Sequence, residues 1–449
     1  MNAASLPPAH PQRLVLADEV HARPPEPLET PSRASYVAVL VDPGERASET
    51  IHLAQLCERF GVAAPAAGAS QFSARLGALA FKWERHGEFS GYTFILPGRS
   101  TTPFSEPSTS TLPEGWLGAV PGQTIVAAHG ELVAEPAQGV DARFLSAHFG
   151  GHIVVGAEIG DGAGAAYTDF RIHADGCSRF LIVDRAFTPR QAGRNMQRLF
   201  EIEAYRMMAL LAWPIAREQS LRATEIENEL ASLTAAIAAG ADARLDEGLL
   251  HSVTRLAADV ERALAATQFR FGARKAYHDL VDTRIGELRE RRIAGIQTVG
   301  EFMARRFTPA MATCATVAQR LHQLSERVAQ ASGLLSTRVD IARERQNQNL
   351  LASMDRRAHL QLRLQQTVEG LSVAAIVYYA AGLVGYVAKA MKSRGLPIDT
   401  DLLVALSIPV LAAMVLLALR RARLRLHTAI GEMPRSPDLP SSPHPTDSP

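Results

Sequence analysis

Near the N-terminus, Asp18-Glu19-Val20-His21-Ala22-Arg23-Pro24-Pro25-Glu26-Pro27 sets carboxylates, an imidazole and a guanidinium against a run of prolines. Prolines favour extended backbone, and the two-residue alternation of an extended chain puts Glu19, His21 and Arg23 on one side. Such a row can bind an anion or a metal, or move a proton. It can equally form a strap that pairs its charges with a neighbouring surface, with Pro24 opening the rigid stretch. No third partner of the kind catalysis needs stands nearby in sequence.

His148 and His152 have the four-residue spacing that places two ligands on one helix face, but Gly150-Gly151 between them breaks that helix. Both therefore read as structural histidines. Gly160, Gly162 and Gly164 resemble a phosphate-binding loop, which should open a helix; here a strand-like run, Ala166 to Ile172, follows, so a hairpin connection is expected. The sequence contains no Walker lysine motif, no G-x-S-x-G elbow and no H-E-x-x-H pair. No catalytic residue, metal site or cofactor is assigned from it.

Positioning elements must come from a chain of 449 residues, long enough for two or three structural units. With 47 Lys plus Arg against 46 Asp plus Glu, the net charge of +1 offers no field for nucleic acid. Cys57, Cys177 and Cys314 lie far apart and suit a reducing compartment. The stretch to Leu28 lacks an apolar signal-peptide core, so what precedes the membrane spans is expected in the cytoplasm.

Residues 1–35 read as a Pro-rich strap and 36–186 as a cytoplasmic α+β domain. Tyr36 to Val41 predicts a buried strand and Glu45 to Phe60 a helix stopped by Gly61. Ala74 to Trp83 and Glu88 to Leu96 predict a hairpin about His86-Gly87, and Pro97 to Pro113 an exposed excursion. Further strands are expected at Thr124 to Ala128, Ile153 to Ile159 and Phe180 to Val183. Thr188-Pro189 with Gln191 has the spacing of a capping box, opening a helical hairpin region over 187–308. Within it, Trp213-Pro214 should end or kink the first helix, and helices are expected over 217–239, 241–267 and 272–305.

From Pro309 to Pro397 no proline intervenes, so one long helix is expected, with a stalk over 309–370. Leu321, Leu324, Val328, Ala331, Leu335 and Val339 form a coiled-coil-like seam that needs a partner, either another subunit or helices of the same chain. The polar run Arg343 to Asn349 interrupts it.

Leu371 to Val387 and Leu402 to Leu419 carry no charge and have nearly the length that crosses about 30 Å of hydrocarbon. They predict a transmembrane hairpin over 371–388 and 402–419, joined by a short external loop, 389–401. Seven flanking arginines, Arg356, Arg357, Arg363, Arg420, Arg421, Arg423 and Arg425, bracket the hairpin on the side opposite the loop. They place both termini in the cytoplasm by the positive-inside rule. The segment 420–449 is basic, then Pro and Ser rich, and is expected to be disordered.

The Asp18 to Pro27 motif, Arg343 to Arg357 and Val368 to Tyr379 together resemble an uncharacterised bacterial family of membrane-anchored proteins, Domain of Unknown Function family thirty-four twenty-two. The resemblance covers nearly the whole chain except the tail and implies membrane attachment without a known activity. The plan of an α+β domain, a long stalk helix and a two-span hairpin also resembles the CorA magnesium channels, which are homo-oligomeric. Those carry Gly-Met-Asn at the end of the first span, where this chain reads Gly385-Tyr386-Val387-Ala388-Lys389. The expectation is a multi-pass protein of the bacterial inner membrane, a non-enzymatic scaffold or regulator that self-associates. Its partners would be the lipid bilayer and its own copies; a divergent CorA-like channel is the alternative.

Overall fold

The computed structural model describes residues 8–14, 16–17, 24–239, 243–393 and 399–430. Glu19, His21 and Arg23, residues 394–398 within the expected 389–401 loop, and the tail beyond 430 lie outside the described residues. The chain divides into two compact units, the first ending at Thr337 and the second beginning at Arg338.

The first unit begins with β1 (Ser32–Leu40), α1 (Arg46–Arg59), β2 (Gln71–Leu76), β3 (Leu79–Arg85), β4 (Phe89–Pro97) and β5 (Gln123–Ala134). Next come α2 (Ala142–Phe149), β6 (Val155–Ile159), β7 (Gly164–Thr168) and β8 (Ser178–Asp184). Its helical part comprises α3 (Pro189–Leu210), α4 (Ala212–Ala238), α5 (Ala243–Leu288), the two-residue β9 (Arg291–Arg292) and α6 (Val299–Arg306). The start of α7 (Thr308–Ser393) completes it.

Among the described residues nine strands make one sheet, in the order β2-β3-β4-β1-β5-β8-β7-β6-β9. β5 and β8 pair in parallel; the other pairings are antiparallel. The continuous apolar run of β1 follows from burial on both faces: Ala34, Tyr36 and Ala38 pack toward α3, whereas Val37 and Val39 pack toward α1. Under α1 the Glu49 carboxylate is buried and accepts from Trp83 Nε1 at 2.9 Å and the Tyr92 hydroxyl at 2.7 Å. Burial alone would raise its pKa, but hydrogen bonds from Ser90, Tyr92, Trp83 and Arg85 outweigh that and hold it below the usual range. α2 covers the sheet around β7 and β8 with Leu145 and Phe149.

Several expectations need correction. Ala74 belongs to a separate strand, β2, because Gly77 at φ 65° turns the chain before β3; only β3 and β4 flank His86-Gly87. The 97–113 stretch is not a free excursion: Phe104 is buried with its amide on Glu131 Oε1 at 2.8 Å, and the buried Ser108 hydroxyl donates to Ser35 Oγ at 2.8 Å. No break separates 241–267 from 272–305: one helix, α5, runs through Gly272, since a helical glycine costs only about 1 kcal/mol relative to alanine and α5 packs along its length. That helix stops at Leu288, after which Arg291–Arg292 extend the sheet beside β6, a role their charged composition hid. The Thr188 capping box forms, and the following break falls at Leu211, leaving Pro214 in the first turn of α4, where a missing amide hydrogen is tolerated.

Leu321, Leu324, Val328 and Leu335 of α7 are buried in one cluster with Ile226 and Leu230 of α4 and Val253, Leu256 and Val260 of α5. Arg320 pairs with Glu227, and Ser325 donates to Glu261 at 3.0 Å, along the same contact. The partner of the seam up to Leu335 is therefore the chain's own pair of helices. No second copy is required to cover it.

The second unit contains the remainder of α7 and α8 (Thr400–Ile430). Both helices are long and apolar enough to cross a membrane. Leu371, Tyr378, Tyr379, Leu383 and Tyr386 on α7, and Leu402, Leu406 and Val410 on α8, are exposed. Ala381 and Ala388 are buried, and a Cβ at Gly385 would lie 3.4 Å from Val404 Cγ2, so small residues let α7 and α8 approach closely. Pro409 lies inside α8.

Candidate functional site

Two constellations of titratable side chains lie in the first unit. One receives the end of the N-terminal motif. Pro24 accepts the Lys82 ammonium on its carbonyl at 2.9 Å, and Leu28 donates its amide to the Pro189 carbonyl at 2.9 Å. Between these anchors the chain crosses α3 at Gly193, where any Cβ would fall inside the van der Waals shell of the Glu26 carbonyl oxygen. Lys82 is buried and lies 3.0 Å from Glu84 Oε1, because β3 points Lys82 and Glu84 to the α3 side while Phe81 and Trp83 point away. Tyr36 and Tyr205 complete the wall with Glu201. Burial pushes the Tyr36 hydroxyl well above its ordinary pKa, with Tyr205, Glu84 and Glu201 adding to the effect.

The other constellation was not assembled from sequence. Asp141 caps α2 by accepting the Phe144 amide at 2.7 Å, and Gly150 at φ 59° ends it, so His148 and His152 part company. His148 is buried with Nδ1 2.8 Å from the Phe144 carbonyl, a structural placement. His152 turns instead to Asp169, one residue beyond β7, with Nδ1 2.8 Å from Oδ2. Asp169 is fully enclosed, and its Oδ1 accepts the Arg171 amide at 3.2 Å, which bends the chain. The bend closes through His173 and Cys177, whose amide and carbonyl meet at 2.9 Å, and returns His173 Nε2 to 2.9 Å from Asp169 Oδ2.

The three ligand atoms of His152, Asp169 and His173 all lie within 4.8 Å of one another. Two imidazoles and one carboxylate form a donor set that can hold a divalent cation or relay a proton. Asp169 also lines a cavity of about 340 Å³ whose wall includes Phe170, Arg171, Arg206, Phe302 and Arg306. Burial pushes the neighbouring Cys177 thiol up to about 11, with Asp175 adding to the shift and Arg179 opposing it.

Of the four candidate residues Glu19, His21, Arg23 and Pro24, Pro24 is the one that lies among the described residues, and it contacts Lys82 rather than the histidine cluster. Asp169 and His173 were missed because the apolar run Ala166 to Ile172 read as strand through Asp169, whereas β7 ends at Thr168. The D-x-x-x-H spacing was the available signal, but it lies across a turn, and its third partner is 17 residues away.

No curated protein and no solved structure matches this chain, so the likeness to CorA channels has no support from comparison. The model of the family described as "Protein of unknown function (DUF3422)" matches residues 8–426, and the chain belongs to that family.

Proposed function

We propose that this protein is a membrane-anchored scaffold or regulator whose first unit works in the cytoplasm. The observation supporting this reading is the uncovered apolar surface of α7 and α8. Leu371 and Tyr378 are each 76% exposed, while the sheet of the first unit buries Phe81, Trp83, Phe94 and Phe180. An apolar surface of that extent is unfavourable in water and favourable in hydrocarbon. The seven flanking arginines, against Lys389, Lys392 and Arg394 in the loop, support an orientation with the termini inside and the loop outside.

The rival reading is a CorA-like cation channel, which needs an oligomer with polar groups along an axis. The first span supplies Ser372 and glycines without a charge, and Lys389 at its end would repel a divalent cation. That chemistry favours the anchored regulator.

The full chain is expected to stay with membranes through an alkaline wash and to be released by detergent; recovery in the wash overturns the anchoring. In intact cells an impermeant thiol reagent should label Ser393→Cys and spare Ser436→Cys. The reverse pattern overturns the orientation.

A further inference from the structure

We infer that His152, Asp169 and His173 form a binding site for a divalent transition-metal cation, with zinc the best match to the donor set. The inference rests on geometry that hydrogen bonding leaves incomplete. The His173 side chain is 9% exposed, and its Nε2 is buried without a hydrogen-bond partner among the described residues. Asp169 Oδ2 lies only 2.9 Å away, yet off the direction in which a ring N–H or lone pair points, so proximity does not satisfy the nitrogen. A buried polar atom left in that condition costs about 1–3 kcal/mol, and a coordinated cation removes the deficit.

The same Oδ2 faces His152 Nδ1 at 2.8 Å, so both imidazoles converge on one carboxylate oxygen. Zinc bonds of about 2.0–2.2 Å at tetrahedral angles set ligand atoms roughly 3.3 Å apart. The two nitrogen-to-carboxylate separations therefore need to open by a few tenths of an ångström, and the two imidazole nitrogens, within 4.8 Å of each other, to settle at the same spacing, to admit the ion. Nitrogen and oxygen donors without thiolate suit zinc and its first-row neighbours better than calcium or magnesium, which take oxygen ligands. Three protein ligands leave a coordination position, and the 37% exposure of the His152 side chain gives solvent or a small molecule a route to it. The Asp169 Oδ1 bond to the Arg171 amide fixes the carboxylate, which is the role an outer hydrogen bond plays at metal centres.

The test uses the full chain in detergent, stripped with chelator and freed of any histidine tag. Titration with zinc should saturate at one ion per chain, and cobalt should give the visible absorption of a low-coordinate nitrogen and oxygen site. His152→Ala, at a partly exposed position, and His173→Gln should each weaken binding by at least about tenfold, as loss of one of three ligands implies. His148→Ala should bind as the parent does. Zinc should also raise the thermal midpoint of the parent and not that of His152→Ala, a readout that separates ligation from folding. The inference is overturned by absence of saturable binding, by unchanged affinity in His152→Ala, or by equal loss in His148→Ala.

Discussion

The Lys82 ammonium donates to the Pro24 carbonyl at 2.9 Å while lying 3.0 Å from the Glu84 carboxylate, so one buried cation ties the N-terminal segment to the sheet. Lys82→Met keeps the apolar stem and removes the charge. Taking one partner from a buried pair costs about 3–5 kcal/mol. A lower thermal midpoint is expected, together with faster proteolysis ahead of Leu28. Parent-like values for both would show that this contact does not hold the segment down.

Gly193 tests the same attachment from the helix side. A methyl group there meets the Glu26 carbonyl, so Gly193→Ala must displace the segment or α3. Helix propensity alone would favour the alanine by about 1 kcal/mol. Gly272→Ala, in a helix with nothing within 4 Å of the new Cβ, supplies the control. The expected result is a lower midpoint for Gly193→Ala and an unchanged or higher one for Gly272→Ala; equal behaviour would contradict the close approach.

Much of this fold was written in local patterns. The β-branched run at Tyr36 to Val41, the Thr188-Pro189-Gln191 cap and the unbroken stretch from Pro309 each correspond to elements with nearby boundaries. What stayed hidden depends on long-range placement. Arg291–Arg292 become a strand only because β6 offers a free edge, and Ser108 is buried only because Ser35 and Phe94 stand beneath it. The histidine cluster combines a loop after α2 with a bend after β7, and no periodicity connects them. Glu19, His21 and Arg23 were legible as a motif, but their positions fall outside the described residues.

His129 sets a pH dependence. Burial holds its pKa below the ordinary 6.5, with Asp175 opposing and Arg179 reinforcing the shift, and its Nδ1 lies 2.9 Å from Ser35 Oγ. Because the folded state binds this proton less readily than the unfolded state, the contribution is complete above about pH 6.5. It is lost as pH falls from there through the depressed folded value. His129→Asn removes the titration while keeping a polar partner for Ser35. Between about pH 8 and about pH 5 the midpoint of the parent should fall more steeply than that of the variant. Parallel curves would assign the acid sensitivity to other groups.

Leu324 decides what the seam on α7 is for. It is 1% exposed and shares a cluster with Ile226 and Leu230 of α4 and Val253 and Val260 of α5. Leu324→Ala leaves a cavity in that cluster, which typically costs about 2–5 kcal/mol. The loss should appear as a lower thermal midpoint of the first unit, with the mass of the detergent-solubilised particle unchanged. Leu334, two-thirds or more exposed on the same helix, gives the comparison: Leu334→Ala should leave the midpoint near the parent value. If Leu324→Ala instead lowers the mass and spares the midpoint, the seam is held by a second copy of the chain, and the intramolecular packing of α4 and α5 is wrong.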